Sequence, residues 1–403
     1  MGYDYGIPTT LLRFLGACIY GNAEVFYAGL TETERAELDV QGRGFGLSAW
    51  FYRYLHDVLP DAKRTAYQKL YQARQVKAMM GAQELKRLYH VLSAHDLRFV
   101  PIKGADLAYR LYPDAALRVF GDWDIWFHPD DCERALAVLA EDGWKIPAHY
   151  SDRDDAAFKT CDHHFSPHIR GQEVLEPHDT LANFSGIDPH EMWEYTVESP
   201  AGDGQRVLSS EMNLLMLTRH AASSSYYHAQ IPKLLTDAAM VMRQDVDFLR
   251  LRELAGRWHL PYPGDLLATF PEFFPEETIH KFEADPAKTA EFRAIFEMRG
   301  RLGEPKTVAL LLSRFEVRGQ VAGSMREKIR TLTPERIRLI YRLPKRGAYG
   351  RVAWAYLCYF WTRGCRAIDW VWNKQKYRDY ARAVESIESC SPQSCTKHSS
   401  IRG

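Results

Sequence analysis

Residues 99–127 read FVPIKGADLAYRLYPDAALRVFGDWDIWF, and their centre is Asp122-Trp123-Asp124, two carboxylates two residues apart in an apolar run. Such a run predicts a strand, on which side chains alternate between faces. Arg118, Phe120, Asp122, Asp124 and Trp126 then share one face, and Val119, Trp123, Ile125 and Phe127 share the other. Large apolar groups on both sides predict a strand covered on both faces. Two like charges side by side there repel each other and lose hydration, so they need a cation or hydrogen-bond donors. A divalent ion is the simplest compensation, because carboxylate oxygens suit magnesium or manganese.

The upstream half points to phosphate handling. Phe99–Ile102 is a short apolar strand, Lys103-Gly104 a turn, and Ala105–Leu111 a short helix stopped by Pro113. A strand that enters a helix through glycine leaves free amides at a positive helix end, which suits a phosphate. Lys103 adds a point charge there. The Gly-x-x-x-x-Gly-Lys spacing of a Walker loop is missing. A D-x-D on its own also fits a solvated strand face. The order of Lys-Gly turn, short helix and D-x-D favours a site.

The stretch IKGADLAYRLYPDAALRVFGDWDIWF resembles the hydrophobic-Lys-Gly-small-small-Leu, Tyr-Pro, Arg, Asp-x-Asp series of the uncharacterised nucleotidyltransferase family, within the DNA polymerase beta-like superfamily. Downstream, LEPH at 175–178 is similar to its hydrophobic-Glu-hydrophobic-His motif, and a helical stretch carries His220, Lys233 and Asp237 at matching places. The resemblance covers about residues 85–260. Lys103-Gly104 stands where the superfamily has Gly-Ser, Trp123 and Trp126 replace smaller aliphatics, and Pro177 interrupts the third motif. The resemblance implies a minimal mixed sheet, magnesium or manganese on Asp122, Asp124 and Glu176, and an NTP co-substrate. It also implies that Lys103, Gly104, Arg118, His178, His220, Lys233 and Asp237 bind the nucleotide, with the last three facing the carboxylates across a cleft.

With 403 residues, the chain has room for two or three domains and a large core. Formal net charge is zero, so the whole molecule offers no electrostatic case for nucleic acid. The seven cysteines (18, 132, 161, 358, 365, 390 and 395) are scattered and lack a C-x-x-C pair, as expected of reduced thiols rather than a disulfide framework or zinc site. MGYDYGIPTT has no basic-then-apolar signal pattern, and Gly6 fails the myristoylation requirement. No apolar run reaches the roughly 20 residues of a membrane span. These features predict a cytoplasmic protein without a transmembrane segment.

Taken in order, residues 1–97 read as helical. Leu11–Tyr27 is apolar-rich, Thr31-x-x-Glu34 matches a capping box, and Ser48–Leu59 is amphipathic up to Pro60. Asp61–His95 reads as one long helix with Leu70, Ala73, Val76, Met80, Leu85, Leu88 and Leu92 on its apolar stripe. An α/β core spans 98–182. After the D-x-D, Pro129-Asp130-Asp131 opens a helix through Ala140 that Gly143 closes, and strand-like pieces follow at Trp144–Ile146, His163–Ile169 and Gln172–Leu175. His163, His164, His168 and His178 invite a zinc reading, but surface or hydrogen-bonded histidines fit better. His178 is set apart by the matched motif.

Residues 183–330 read as helical and would close the cleft, with Glu211–Ala222 and Pro232–Met242 the informative helices and Pro261, Pro263, Pro271 and Pro275 marking loops. Lys233 and Asp237, four apart, share a helix face and fit either a surface pair or a cleft wall. From 326 to 382 the chain turns basic and aromatic: Arg336, Arg338, Arg342, Lys345, Arg346 and Arg351 lead into VAWAYLCYFW, then Trp370 and Trp372. That pattern suits a nucleic-acid or anionic membrane contact, or a helical region (331–385) that packs its aromatics inward. Residues 386–403 are polar and Ser-rich and read as disordered.

The reading is an α/β (α+β) protein with helical flanks, a metal-dependent nucleotidyltransferase that moves a nucleoside monophosphate from an NTP to an acceptor hydroxyl. The acceptor, whether small molecule, peptide, protein side chain or RNA end, is not named by the sequence. A D-x-D glycosyltransferase would place a parallel nucleotide-binding region before the motif, where residues 1–97 read helical. A decayed transferase fold acting as a binding protein is the other alternative.

Overall fold

Residues 9–94 of the computed structural model form α1 (Thr9–Tyr20), α2 (Ala23–Ala28), α3 (Glu32–Gly44), α4 (Ser48–Leu55) and α5 (Asp61–Ala94). The structure describes residues 7–147, 165–181, 184, 186–200, 204–223, 230–301, 349–351, 353–354, 357 and 374–388. The expected capping box opens α3: Glu34 N donates to Thr31 Oγ1 at 3.3 Å, and Thr31 N donates to Glu34 Oε2 at 2.8 Å. The single long helix is present, but its buried stripe differs from the expected one. Leu70, Val76 and Met80 are 49, 58 and 64% exposed. Leu85, Leu88 and Leu92 are buried as expected, and Tyr67, Tyr71 and Gly81 are buried in place of the others. Aromatics take over the first half because Tyr67 stacks on Phe51 of α4 at 5.4 Å and the Tyr71 hydroxyl reaches Asp114. The amphipathic tyrosines do what an aliphatic count overlooks.

A four-stranded mixed sheet follows, built from β1 (Phe99–Ile102), β2 (Trp123–Phe127), β3 (His168–Arg170) and β4 (Glu173–His178) in the order β1-β2-β4-β3. α6 (Lys103–Arg110) joins β1 to a short 3-10 turn at Ala115–Leu117, and α7 (Cys132–Glu141) follows β2. β1 and β2 are antiparallel with Ile102 opposite Asp124; β2 and β4 are parallel with Asp124 opposite Glu176 and Trp126 opposite His178. One strand boundary departs from the sequence reading. β2 begins at Trp123, so Arg118 and Asp122 lie outside the strand. Its partner β1 ends at Ile102, where Lys103 adopts a left-handed φ of 52° and turns into α6, and no ladder remains for the residues before Trp123. Pro177, in contrast, sits inside β4. Its carbonyl accepts from Phe165 N at 2.8 Å, and β3, which begins at His168 opposite Leu175, asks it for no N–H.

Both faces of β2 are covered, as the alternating aromatics require. Trp126 joins the larger core, which the N-terminal helices and the later helices share, and packs on Trp193 at 4.8 Å. Trp123, Ile125 and Phe127 join a second core under α5 and α7, where Trp123 meets Trp144 at 5.9 Å. Fully burying one such side chain contributes about 3 kcal/mol. The central strand is thereby pinned, and with it the position of Asp124.

The helical stretch after the sheet contains one exception. α8 (Pro189–Trp193) is followed by an antiparallel hairpin of β5 (Thr196–Glu198) and β6 (Arg206–Leu208), where only helix was expected. The period-2 pattern Thr196-Val197-Glu198 and the Asp203-Gly204 pair are the sequence signals for it. Then come α9 (Ser210–Ser223), α10 (Ile231–Val241), α11 (Phe248–Arg257), α12 (Pro263–Leu267), α13 (Glu276–Phe282) and α14 (Pro286–Arg301). Pro263 opens α12 at a position where its missing N–H costs nothing, so it marks a helix start and not a loop. α15 (Lys374–Glu388) buries Tyr377, Tyr380, Val384 and Ile387 in the larger core with Phe292 and Phe296 of α14. Ser386–Glu388, expected to belong to a disordered tail, end this helix. His163, His164 and most of the basic aromatic stretch lie outside the described residues. Among the described residues, no helix is long and apolar enough to cross a membrane.

Candidate active site

The register of β2 against β4 places Asp124 beside Glu176 on one face, and His178 follows two residues later on that same face. Asp124 is buried and Glu176 half-buried. Asp124 Oδ1 accepts a hydrogen bond from Lys103 Nζ at 2.7 Å and, in its Nε2–H tautomer, from His178 at 3.0 Å. Burial opposes ionisation of Asp124, but the Lys103 charge and the His178 hydrogen bond outweigh it and hold the carboxyl well below the usual range. Asp122, half-buried just before the strand, goes the other way. Burial and the charge of Asp124 push its pKa up, and Lys103 and Lys233 only partly offset them. The two acids of the D-x-D are therefore unlike: one is held as an anion and the other is held closer to neutrality.

The facing wall comes from α9 and α10. His220, Gln230, Lys233 and Asp237 line one side of a cavity of about 250 Å³ whose other side is Lys103, Gly104, Asp122, Asp124 and Glu176. Every residue that the sequence put in the site lines this cavity except His178, which reaches it through Asp124. Burial and the charge of Lys103 lower the His220 pKa to about 4, so its imidazole is neutral near pH 7. Burial, with the charge of Arg118 added, also lowers the Lys233 pKa. Gly104 is sterically required: a Cβ there would lie 2.6 Å from the Phe120 Cβ. It brings the start of α6 against the loop that carries the D-x-D.

Arg118 and Asp237 are not set as the sequence suggested. Arg118 Nε and Nη2 donate to Asp237 Oδ1 and Oδ2 at 2.6 and 2.8 Å, and Nη1 donates to the Val119 carbonyl at 2.9 Å. The Tyr112 hydroxyl donates to Asp237 Oδ1 at 2.7 Å. All three are buried. Arg118 thus braces the helical wall rather than the aspartates on a shared strand face. Asp237 likewise pairs with Arg118 and not with Lys233, its neighbour on the helix. Tyr112 belongs to the quoted Tyr-Pro pair, but no local spacing links it to a residue 125 positions away.

The donor set suits a hard divalent cation. Asp124, Glu176 and His178 each offer a ligand atom, all within 4.8 Å of one another, and Asp122 adds a carboxylate at the same cavity. Of the histidines weighed for zinc, His168 is engaged elsewhere: its Nδ1 is 2.8 Å from the Ser166 carbonyl. A separate group, His128, Asp130 and His190, also brings ligand atoms within 4.8 Å. Arg98 lies 3.1 Å from His128 Nε2 and pairs with Asp130, which sets a cation beside those ligands.

A family model described as an uncharacterised nucleotidyltransferase matches residues 50–266, from α4 to α12, and so takes in both walls of the cavity. No curated protein and no solved structure matches the chain.

Proposed function

Because the chain belongs to the uncharacterised nucleotidyltransferase family, we propose that the cavity transfers a nucleoside monophosphate from an NTP to an acceptor hydroxyl. The observation that supports this reading is the pairing of Asp124 with Glu176 in adjacent parallel strands, next to Lys103 and across the cavity from Lys233. Asp122, Asp124 and Glu176 would hold magnesium or manganese. Such an ion, when bound, neutralises triphosphate charge and stabilises the charge that develops on the transferred group. The amides that follow Gly104 and the Lys103 ammonium would seat the β- and γ-phosphates. Lys233, across the cavity, supplies a second positive charge.

In the transfer, the acceptor oxygen forms a bond to the α-phosphorus as the bond from that phosphorus to the bridging oxygen breaks, and pyrophosphate leaves. Glu176, half-exposed and beside Asp124, takes the hydroxyl proton. Asp124 is already held as an anion by two donors, so its carboxylate carries its charge before an ion binds. Neutral His220 can accept or donate a hydrogen bond to the substrate without adding charge. The acceptor stays open among a small molecule, a peptide or protein and an RNA end; we place the protein in the cytoplasm.

Incubating the protein and Mg²⁺ with each α-³²P-labelled NTP and a cell lysate tests the reading. Label transferred to one class of acceptor by the wild type, and not by Asp122→Asn or Glu176→Gln, is the expected result. A thermal shift with a UDP-sugar and none with any Mg-NTP would reverse it in favour of glycosyl transfer.

A further inference from the structure

We propose that Lys103 is an exchangeable counter-ion, which holds Asp124 until a divalent cation takes its place and then turns to the triphosphate. This rests on the nucleotidyltransferase reading and adds to it a coupling between metal and nucleotide. A carboxylate oxygen has two lone-pair sites, and on Asp124 Oδ1 both are filled, one by Lys103 Nζ at 2.7 Å and one by His178 at 3.0 Å. Glu176 has a ligand atom within 4.8 Å of an Asp124 oxygen, so a cation shared by the two carboxylates would lie within a few ångströms of the ammonium. A divalent ion and an ammonium at such range repel each other strongly in a cavity of low dielectric. One of them has to leave.

His178 is the fixed partner, since its ring is fully buried on β4, whereas the Lys103 side chain retains 17% exposure on a flexible stem. Lys103 also begins α6, where phosphate would sit, so a short rotation transfers its charge from Asp124 to an anion at the helix start. Without such an anion, moving Lys103 strands its charge; with one, the move is favourable. Metal and triphosphate therefore help each other to bind, and by linkage the assistance is reciprocal. Free Mg²⁺ alone binds weakly to a site of this kind.

The probes are Mn²⁺ alone, followed by electron paramagnetic resonance of the free ion, and magnesium tripolyphosphate, followed by calorimetry. Lys103→Gln should bind Mn²⁺ about tenfold more tightly than wild type and magnesium tripolyphosphate about tenfold more weakly. Lys103→Arg keeps the charge and should leave Mn²⁺ binding weak. Opposite signs for the two probes are the signature, because a merely structural lysine would weaken both. Mn²⁺ binding that is unchanged or weaker in folded Lys103→Gln overturns the proposal, and Lys103→Met serves if circular dichroism shows the Gln variant unfolded. A folded wild type that binds neither probe overturns the transferase reading itself, which is a different result.

Discussion

Arg118 and Asp237, 119 residues apart in sequence, form a buried two-point ion pair that joins the loop before β2 to the middle of α10. Tyr112 closes the network from the end of α6. Arg118 and Asp237 both line the cavity, so the separation of the carboxylate wall from Lys233 depends on their pairing. Asp237→Asn leaves a guanidinium buried without a full partner and should cost about 3–5 kcal/mol of stability. Tyr112→Phe removes one charge-assisted hydrogen bond and should cost about 1–3 kcal/mol. Urea unfolding of both variants measures this, and a loss below about 1 kcal/mol for Asp237→Asn would show that the pair holds little.

The two acids of the D-x-D should separate in a stability experiment. Asp124 accepts from Lys103 and His178, so Asp124→Asn strands two donors and should destabilise by about 2–3 kcal/mol. Asp122 is held above its ordinary pKa by burial and by its neighbour's charge, so Asp122→Asn should be neutral or slightly stabilising. Both variants should lose Mg-NTP turnover. Equal melting temperatures for the two would contradict the asymmetry drawn from the geometry.

Much of this site could be read in the chain because its signals are local. The Lys-Gly turn and the Glu-x-His of 175–178 each sit within one element, the D-x-D spans three adjoining residues at the start of β2, and strand alternation alone places Asp124 with Trp126. The buried network could not be read that way, since Asp237 lies on α10, 119 and 125 positions from Arg118 and Tyr112, and an arginine near two aspartates suggests the wrong partner. The hairpin of β5 and β6 was hidden by its three-residue strands, and the buried stripe of α5 by tyrosines that pack through one edge and bond through the other.

Gly104→Ala tests the close approach at the start of α6. The added methyl would lie 2.6 Å from the Phe120 Cβ, and both are tied to backbone, so the loop before Asp122 has to shift. Such overpacking costs about 1–3 kcal/mol. Phe120→Ala in the same chain should restore part of the stability by freeing the space. A Gly104→Ala protein as stable as wild type, with no rescue from the second change, would refute the contact.

His220 should govern stability between mildly acidic and neutral pH. Its folded pKa is about 4, against about 6.5 in an unfolded chain, because burial and the charge of Lys103 disfavour the imidazolium. Above about pH 6.5 both states hold it neutral and no stability is lost. As pH falls from there towards 4, the unfolded chain takes up a proton that the folded one refuses, and stability falls by up to about 3 kcal/mol. Asp122 acts in the opposite direction, since its raised pKa lets the folded state gain a proton first. His220→Gln should therefore flatten the fall in melting temperature between pH 6.5 and 4, and Asp122→Asn should steepen it. If His220→Gln follows the wild-type curve throughout that range, the imidazole is not buried beside Lys103 as the cavity has it.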